Sequence, residues 1–201
     1  MATAREPFDK LRAKPGTLKG LRRDYTPAPK HVTKAYLLGA LHDATERKST
    51  YRIASKSKAY CQLLAAGIKR LGMSAWVYRE GRNRRLWITE FSKTLLKQTF
   101  IRITQEKIDY LRGYFDTEGG VAQSLTVRYY LYFAQKNKSD LLEVKQYLTE
   151  LGIACGKIHN PSKSVDPHYW RFYIKAKSYA DFAYIIGSSH PEKFKYLRMK
   201  R

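Results

Sequence analysis

Lys107-Ile108-Asp109-Tyr110-Leu111-Arg112-Gly113-Tyr114-Phe115-Asp116-Thr117-Glu118-Gly119-Gly120 is the stretch on which the fold turns. A looser version, Lys34-Ala35-Tyr36-Leu37-Leu38-Gly39-Ala40-Leu41-His42-Asp43-Ala44-Thr45, lies earlier in the chain. Tyr36 and Tyr110, Leu37 and Leu111, and Gly39 and Gly113 are each 74 residues apart. Each copy sets one glycine in an apolar helical run and an acid just beyond it. Two such helices can pack glycine to glycine and bring their acids together, which builds a metal site on a pseudo-twofold axis.

The matching extends outward. Ala54, Lys56 and Lys58 meet Ala134, Lys136 and Lys138 at a spacing of 80, and Leu71-Gly72 meets Leu151-Gly152 at the same spacing. Phe91-Ser92-Lys93-Thr94 falls near Lys175-Ala176-Lys177-Ser178. A period near half the chain points to duplication of a whole unit, not a solenoid of small repeats.

The 201 residues carry 39 basic and 17 acidic side chains, a formal charge of +22. Such a charge suits a polyanion, because Lys and Arg release condensed counterions when they meet phosphates. Nucleic acid is the first partner to consider. A membrane is disfavoured, since no stretch approaches the ~20 apolar residues of a spanning helix. Cys61 and Cys155 stand far apart, in no metal-binding or disulfide pattern. Of the five histidines, His42 sits beside Asp43 as in a metal-binding His-Asp dyad, but no other histidine has matching placement.

Residues 1–30, with four prolines and scattered basic residues, read as an extended basic arm. They lack the apolar core of a secretory signal, so an intracellular protein (cytoplasm, nucleoid or organelle matrix), not a secreted one, is expected. Helices are expected at 33–43, 57–71, from Thr104 to about 117, at 139–151 with Ser139 as cap, and at 178–187. A further helix starts at 92–98. Strands are expected at 49–55, 73–80, 84–91, 153–159 and 168–176, with a long strand or hairpin over 121–135. The fold class is α+β: two pseudo-symmetric αββαββα half-domains, 31–102 and 103–201, forming a saddle of antiparallel β-ribbons with the motif helices packed at the interface.

Tyr110-Leu-Arg-Gly113-Tyr-Phe-Asp116-Thr-Glu118-Gly119 resembles the motif of LAGLIDADG homing endonucleases, and Tyr36-Leu-Leu-Gly39-Ala-Leu-His-Asp43-Ala resembles its partner copy. Two copies in one chain are similar to the monomeric, pseudo-symmetric members. The likeness covers about residues 31–198, including Ser189-His190-Pro191-Glu192-Lys193. It implies that each motif acid binds Mg²⁺, with Mn²⁺ or Ca²⁺ able to substitute, and serves the cut on one DNA strand. Glu118 takes the metal-ligand position, five residues past Gly113. Its counterpart by spacing is Ala44, so the resemblance implies Asp43, one step early, as the working acid. Asp116 matches an earlier acid that caps a neighbouring helix. Lys93 and Lys177 fall where the family has a lysine near the attacking water and phosphate. Gln135 falls at a water-positioning place, with Ser55 as its first-half counterpart.

The DNA surface should be the sheet faces, because a two-stranded ribbon fits the major groove. Candidate contacts are Arg52, Lys56, Tyr78, Arg79, Arg82, Arg84 and Arg85 in the first half. In the second they are Arg128, Lys136, Lys157, His159, Asn160, Lys163 and Arg171. Alternation lets only about half of any strand face DNA. The function implied is a monomeric, intron-encoded, site-specific endonuclease of double-stranded DNA, with intron RNA as a further partner. The displaced first acid keeps open a catalytically silent or nicking relative, a maturase or regulator, that binds DNA or RNA. An unrelated basic RNA-binding protein would need neither paired acids nor duplication.

Overall fold

The computed structural model describes residues 31–81 and 84–198; the expected arm at 1–30 and the turn residues Arg82 and Asn83 lie outside them. The first motif opens helix α1 (Lys34–Ala40), and a 3-10 turn (Leu41–Asp43) carries it into strand β1 (Ala44–Glu46). Strand β2 (Thr50–Ser55), helix α2 (Lys58–Arg70) and strands β3 (Ala75–Glu80) and β4 (Leu86–Ser92) follow. The second motif is α3 (Thr104–Glu118), running straight into β5 (Gly119–Val121). Then come β6 (Leu131–Gln135), α4 (Lys138–Glu150), β7 (Trp170–Tyr173), α5 (Tyr179–Ile185) and α6 (Pro191–Leu197). The first sheet has the order β1-β2-β4-β3 and the second β5-β6-β7, with every pairing antiparallel. Among the described residues no helix is long and apolar enough to cross a membrane.

The duplication is visible in register. Strand β2 ends with Ser55 paired to Trp87, and β6 ends with Gln135 paired to Trp170. Helices α2 and α4 are both 13 residues long and close on Gly72 and Gly152, whose φ angles of 83° and 75° suit glycine. The spacing grows from 74 at the motif glycines to 80 here because the β5–β6 connection is longer than the β1–β2 one.

Each half has its own apolar core. Ile53, Leu64, Ile68 and Phe91 fill the first; Phe133, Leu141, Val144, Phe172 and Phe182 fill the second. Between them α1 and α3 cross. A Cβ on Gly39 would collide with the Tyr110 carbonyl oxygen and sit 2.8 Å from the Tyr114 nitrogen. A Cβ on Gly113 would collide with the Tyr36 carbonyl oxygen and sit 3.1 Å from the Ala40 nitrogen. The contact is reciprocal, so the glycines let one backbone touch the other. Polar latches flank it. Thr33 Oγ1 accepts the Tyr36 amide at the start of α1 and donates to Asp109 on α3. His42 reaches across with Nδ1 at 3.0 Å from Asp140 Oδ2 and Nε2 at 2.7 Å from the Tyr110 hydroxyl. The carboxylate can only accept, so Nδ1 carries the proton and the tyrosine donates to Nε2.

Several local expectations are corrected. Of the two readings for residues 121–135 the hairpin holds: β5 and β6 pair antiparallel across a loop in which the Ser124 and Thr126 hydroxyls bond each other and Ser124 accepts the Thr126 amide. Residues 153–159 form no strand, only bridges from Cys155 to Ile174 and from His159 to Arg171. Four steps on one side face three on the other, so the segment carries a bulge, with Gly156 inside it. Thr104 is the first residue of α3, not its cap; Glu106 reaches back to the amides of Arg102 and Ile103. Asn137, not Ser139, caps α4, accepting the Ser139 amide. The expected helix from 92 is a 3-10 turn, Lys93–Leu96.

Candidate metal centre and nucleic-acid interface

The two motif acids leave their helices at equivalent places. Glu118 is the last residue of α3 and Asp43 the last of the 3-10 turn after α1; each is followed at once by a strand that pairs with the next. The one-residue slip is absorbed by helix type. Five α-helical steps of about 1.5 Å put Glu118 about 7.5 Å along the axis from Gly113. One such step and three 3-10 steps of about 2.0 Å put Asp43 about 7.5 Å from Gly39. The residual rotation is about 40°, against about 100° for a slip on a pure α-helix. The tight ψ angles of −14° at Ala40 and −15° at Leu41 record the change.

Electrostatics mark the two acids as neighbours. Burial pushes the Glu118 carboxyl up to about 7, and the Asp43 charge adds to the rise. Asp43 keeps surface exposed, yet the protein packed around it also raises its carboxyl, against the pull of Lys193. Like charges held close each disfavour ionisation of the other, and a cation relieves both. Gln135 ties the two motifs: its Nε2 donates to Glu118 Oε1 at 2.9 Å and to the His42 carbonyl at 3.2 Å. Ser55 instead accepts the Ser57 amide and stays local.

The basic group beside the acids is Lys193, which the motif reading named only as part of a typical tail. From α6 its ammonium donates to the carbonyls of Phe115, Asp116 and Gly119 at 2.8, 2.9 and 2.6 Å. All three protons are used on the open end of α3, where a cation is favoured. Burial lowers its pKa to about 8, with Asp116, Glu118 and Asp43 opposing. Asp116 is a structural acid: it accepts the Tyr36 hydroxyl at 2.6 Å, the Ser188 hydroxyl, and the amides of Ser189 and His190 at the start of α6. Lys93 is not brought to the acid pair; it pairs with Glu46 and lies over the Tyr51 ring. Lys177 is exposed in a 3-10 turn and makes no ion pair with either acid. A lysine entering from a distant C-terminal helix has no signature in the spacing of the motifs.

Among the described residues, no three His, Cys, Asp or Glu side chains converge as metal ligands. Two carboxylates still fit Mg²⁺, which takes one or two carboxylates with phosphate oxygens and keeps several waters. The carboxyls of Asp43 and Glu118 are raised because burial, with the Asp43 charge acting on Glu118, outweighs the pull of Lys193.

The candidate DNA contacts divide by sheet face. In the first sheet Ile53, Thr89 and Phe91 face the helices, so Arg52, Tyr78, Glu80 and Glu90 share the outer face. Arg79 is displaced to the helix side by the same alternation and donates to the Arg84 carbonyl. Arg84 and Arg85 are exposed, Arg84 pairing loosely with Glu80, and Lys56 is exposed just past β2. In the second sheet Phe133 and Phe172 are buried and Tyr132, Arg171 and Tyr173 lie opposite. His159 stacks beside Tyr173. Arg128, Lys136, Lys157 and Lys163 are exposed; Asn160 spends its amide within its loop, on the Asp166 carbonyl and the Ser162 amide.

Residues 105–187 match the family model of the LAGLIDADG-like domain. No curated protein sequence matches the chain. Its fold is similar to that of I-DmoI solved in complex with DNA and Mn, at 23% identity and a TM-score of 0.57, covering 78% of this chain and 97% of that one. It is similar also to the N-terminal LAGLIDADG domain of DUF199/WhiA, at 16% identity and a TM-score of 0.62, covering 93% of this chain and 94% of that one. Full-length DUF199/WhiA from Thermatoga maritima gives 15% identity and a TM-score of 0.62, over 87% of this chain and 62% of that one. The chain therefore contains a LAGLIDADG-like domain and has the LAGLIDADG fold, in its two-motif form with both motif helices in a single polypeptide.

Proposed function

We propose that this protein is a site-specific endonuclease of double-stranded DNA that hydrolyses phosphodiesters with a divalent metal, Mg²⁺ first, at the Asp43–Glu118 pair. One observation carries the reading: two acids, delivered by glycine-packed helices from the two halves of the chain, share one electrostatic site. Asp43 and Glu118 would each hold a cation with oxygens of a scissile phosphate, one acid serving the cut on each strand. A cation bound there supplies charge stabilisation for the phosphate and acidifies a water. Gln135 fixes the Glu118 carboxylate, and Lys193 fixes the helix end from which it projects. The half-domains 31–102 and 103–201 each read one half of a long site, so a single copy suffices, in keeping with an intracellular, intron-encoded enzyme. The I-DmoI structures with DNA and with Mn or Ca support the partner and the metal class.

A second reading, a non-cleaving DNA- or RNA-binding regulator or maturase, is favoured by the wider cover of the likeness to DUF199/WhiA and by the lysine already beside the acids. A pool of plasmids carrying random duplex inserts separates the two. Incubation with Mg²⁺ should yield linear products with a shared cut sequence, lost in Glu118→Gln. Retention of plasmid without any nick, by wild-type protein that binds it, would establish the regulator.

A further inference from the structure

The two outer sheet faces descend from one unit but now carry different chemistry. Arg52 and Tyr132 occupy equivalent places, since β2 and β6 pair their neighbours in the same register, 80 residues apart. In the first half Arg52 is held by acids. Its guanidinium donates to Glu80 at 2.9 Å and to the Tyr78 hydroxyl at 3.0 Å, and lies 3.8 Å from Glu90. Glu90 also accepts the Thr50 hydroxyl at 2.6 Å. The Thr50 and Tyr78 hydroxyls hold the Glu90 carboxyl, and Arg52 the Glu80 carboxyl, below the usual carboxylate range, so both acids stay charged around one arginine.

In the second half the position across from Ala134 is Arg171. Its guanidinium lies 5.3 Å from the Tyr132 ring centroid and 4.9 Å from that of Tyr173, so it is seated on two aromatic faces. Among the described residues no carboxylate pairs with it, and its Nε is buried without a hydrogen-bond partner. Tyr130 packs against both tyrosines, and His159 stacks on Tyr173, so the seat is itself braced. A guanidinium seated against rings and free of acid is a prepared fork for two acceptors. In a duplex, guanine O6 and N7 offer that pair in the major groove.

Resting on the proposed DNA-binding function, we infer that the two halves read DNA unequally: Arg171 is the guanine-reading group of the second half, while Arg52 is withheld from bases by Glu80 and Glu90. Breaking the Arg52 cluster to free its fork would take the guanidinium from two carboxylates, Glu80 and Glu90, and leave their charge beside phosphates. Arg171 has no such cost.

The test uses the full chain and a pool of random 30-bp duplexes, selected without divalent metal at fixed salt. Wild-type protein should enrich a consensus containing a fixed guanine. Arg171→Lys keeps the charge but loses the fork, so it should keep its affinity for unselected duplex and its salt slope, while discrimination at that one base pair falls about tenfold. Arg171→Gln should lose the same guanine preference. Arg52→Lys should keep the consensus and bind it within about twofold. Thermal melting shows that each variant is folded. An unchanged consensus in both folded Arg171 variants, or a larger consensus change in Arg52→Lys, overturns the inference while duplex binding stands. Enrichment of no duplex by wild-type protein overturns it together with the function on which it rests. Enrichment of the guanine consensus without any Mg²⁺-dependent cutting supports it and sinks only the nuclease.

Discussion

The second motif keeps a continuous 15-residue α-helix to its acid, whereas the first stops after 7 residues and reaches its acid through a 3-10 turn. Both arrive at the start of an outer strand, on either side of one glycine contact. The difference teaches that the distance travelled along the axis, not the residue count, is what such a site conserves between its halves. A tighter turn covers more axis per residue, so one residue fewer suffices.

The harshest way to break this equivalence is to neutralise the acids. Asp43→Asn and Glu118→Gln should each lower cleavage of one strand by on the order of 10²–10³-fold, as for loss of one preorganised electrostatic group. Gel separation of nicked and linear plasmid checks it; equal loss on both strands from either variant would mean one shared centre instead of two. Moving the first acid to the spacing of the second is a gentler test. The double substitution Asp43→Ala with Ala44→Glu restores the count but places the carboxylate on β1, paired opposite Ile53 and against the first core. Nicked circles should accumulate, with linear product down about tenfold or more. Rescue to wild-type cutting would refute the account of the 3-10 turn.

The glycine contact itself can be strained. Gly39→Ala and Gly113→Ala each force a methyl into opposing backbone, which cannot swing aside as a side chain would. Each should cost about 3 kcal/mol, at the upper end for overpacking. For a chain of this size that lowers Tm by about 6–12 °C, measured by thermal unfolding. A loss at only one of the two would show the contact is not reciprocal.

The smallest effect concerns pH. The folded pKa of Glu118 stands above its unfolded value, so metal-free protein binds the extra proton in the folded state between about 4.5 and 7. Its contribution to stability is therefore complete below that window and lost as pH rises through about 7. Lys193, depressed to about 8, acts only above this range and in the opposite sense. His190, depressed to about 4, and His42 oppose it in this range, so the readout is the difference between two proteins: melting temperature from pH 5 to 7 should fall more, or rise less, in wild type than in Glu118→Gln. Metal must find the carboxylate ionised, so added Mg²⁺ should stabilise more at pH 8 than at pH 6.

Much of the fold was legible because the chain repeats. The glycines at 39 and 113, the caps at 72 and 152 and the apolar periodicity of α2 and α4 are local signals, and each lands where its physics requires. The acid pair was legible through its motif. Lys193 was not: it arrives from α6, about 75 residues after the carbonyls it caps. The roles of Lys93 and Lys177 came with the family resemblance, which does not see side-chain partners such as Glu46 that hold Lys93 elsewhere. Arg79 was assigned to the DNA face beside Tyr78, although neighbours in a strand point to opposite faces.

By itself the sequence determined that two glycine-bearing helices would meet, that each half would wrap an antiparallel sheet, and that the surface would suit a polyanion. Those follow from periodicity, from the missing side chain of glycine and from net charge, which need only short stretches or sums. Tertiary structure alone decided that Lys193 secures the end of the second motif, that Arg52 is bound by acids and that Arg171 rests on tyrosines. Such pairings depend on which side chains the folded backbone brings within a few ångströms, and no spacing along the chain encodes them.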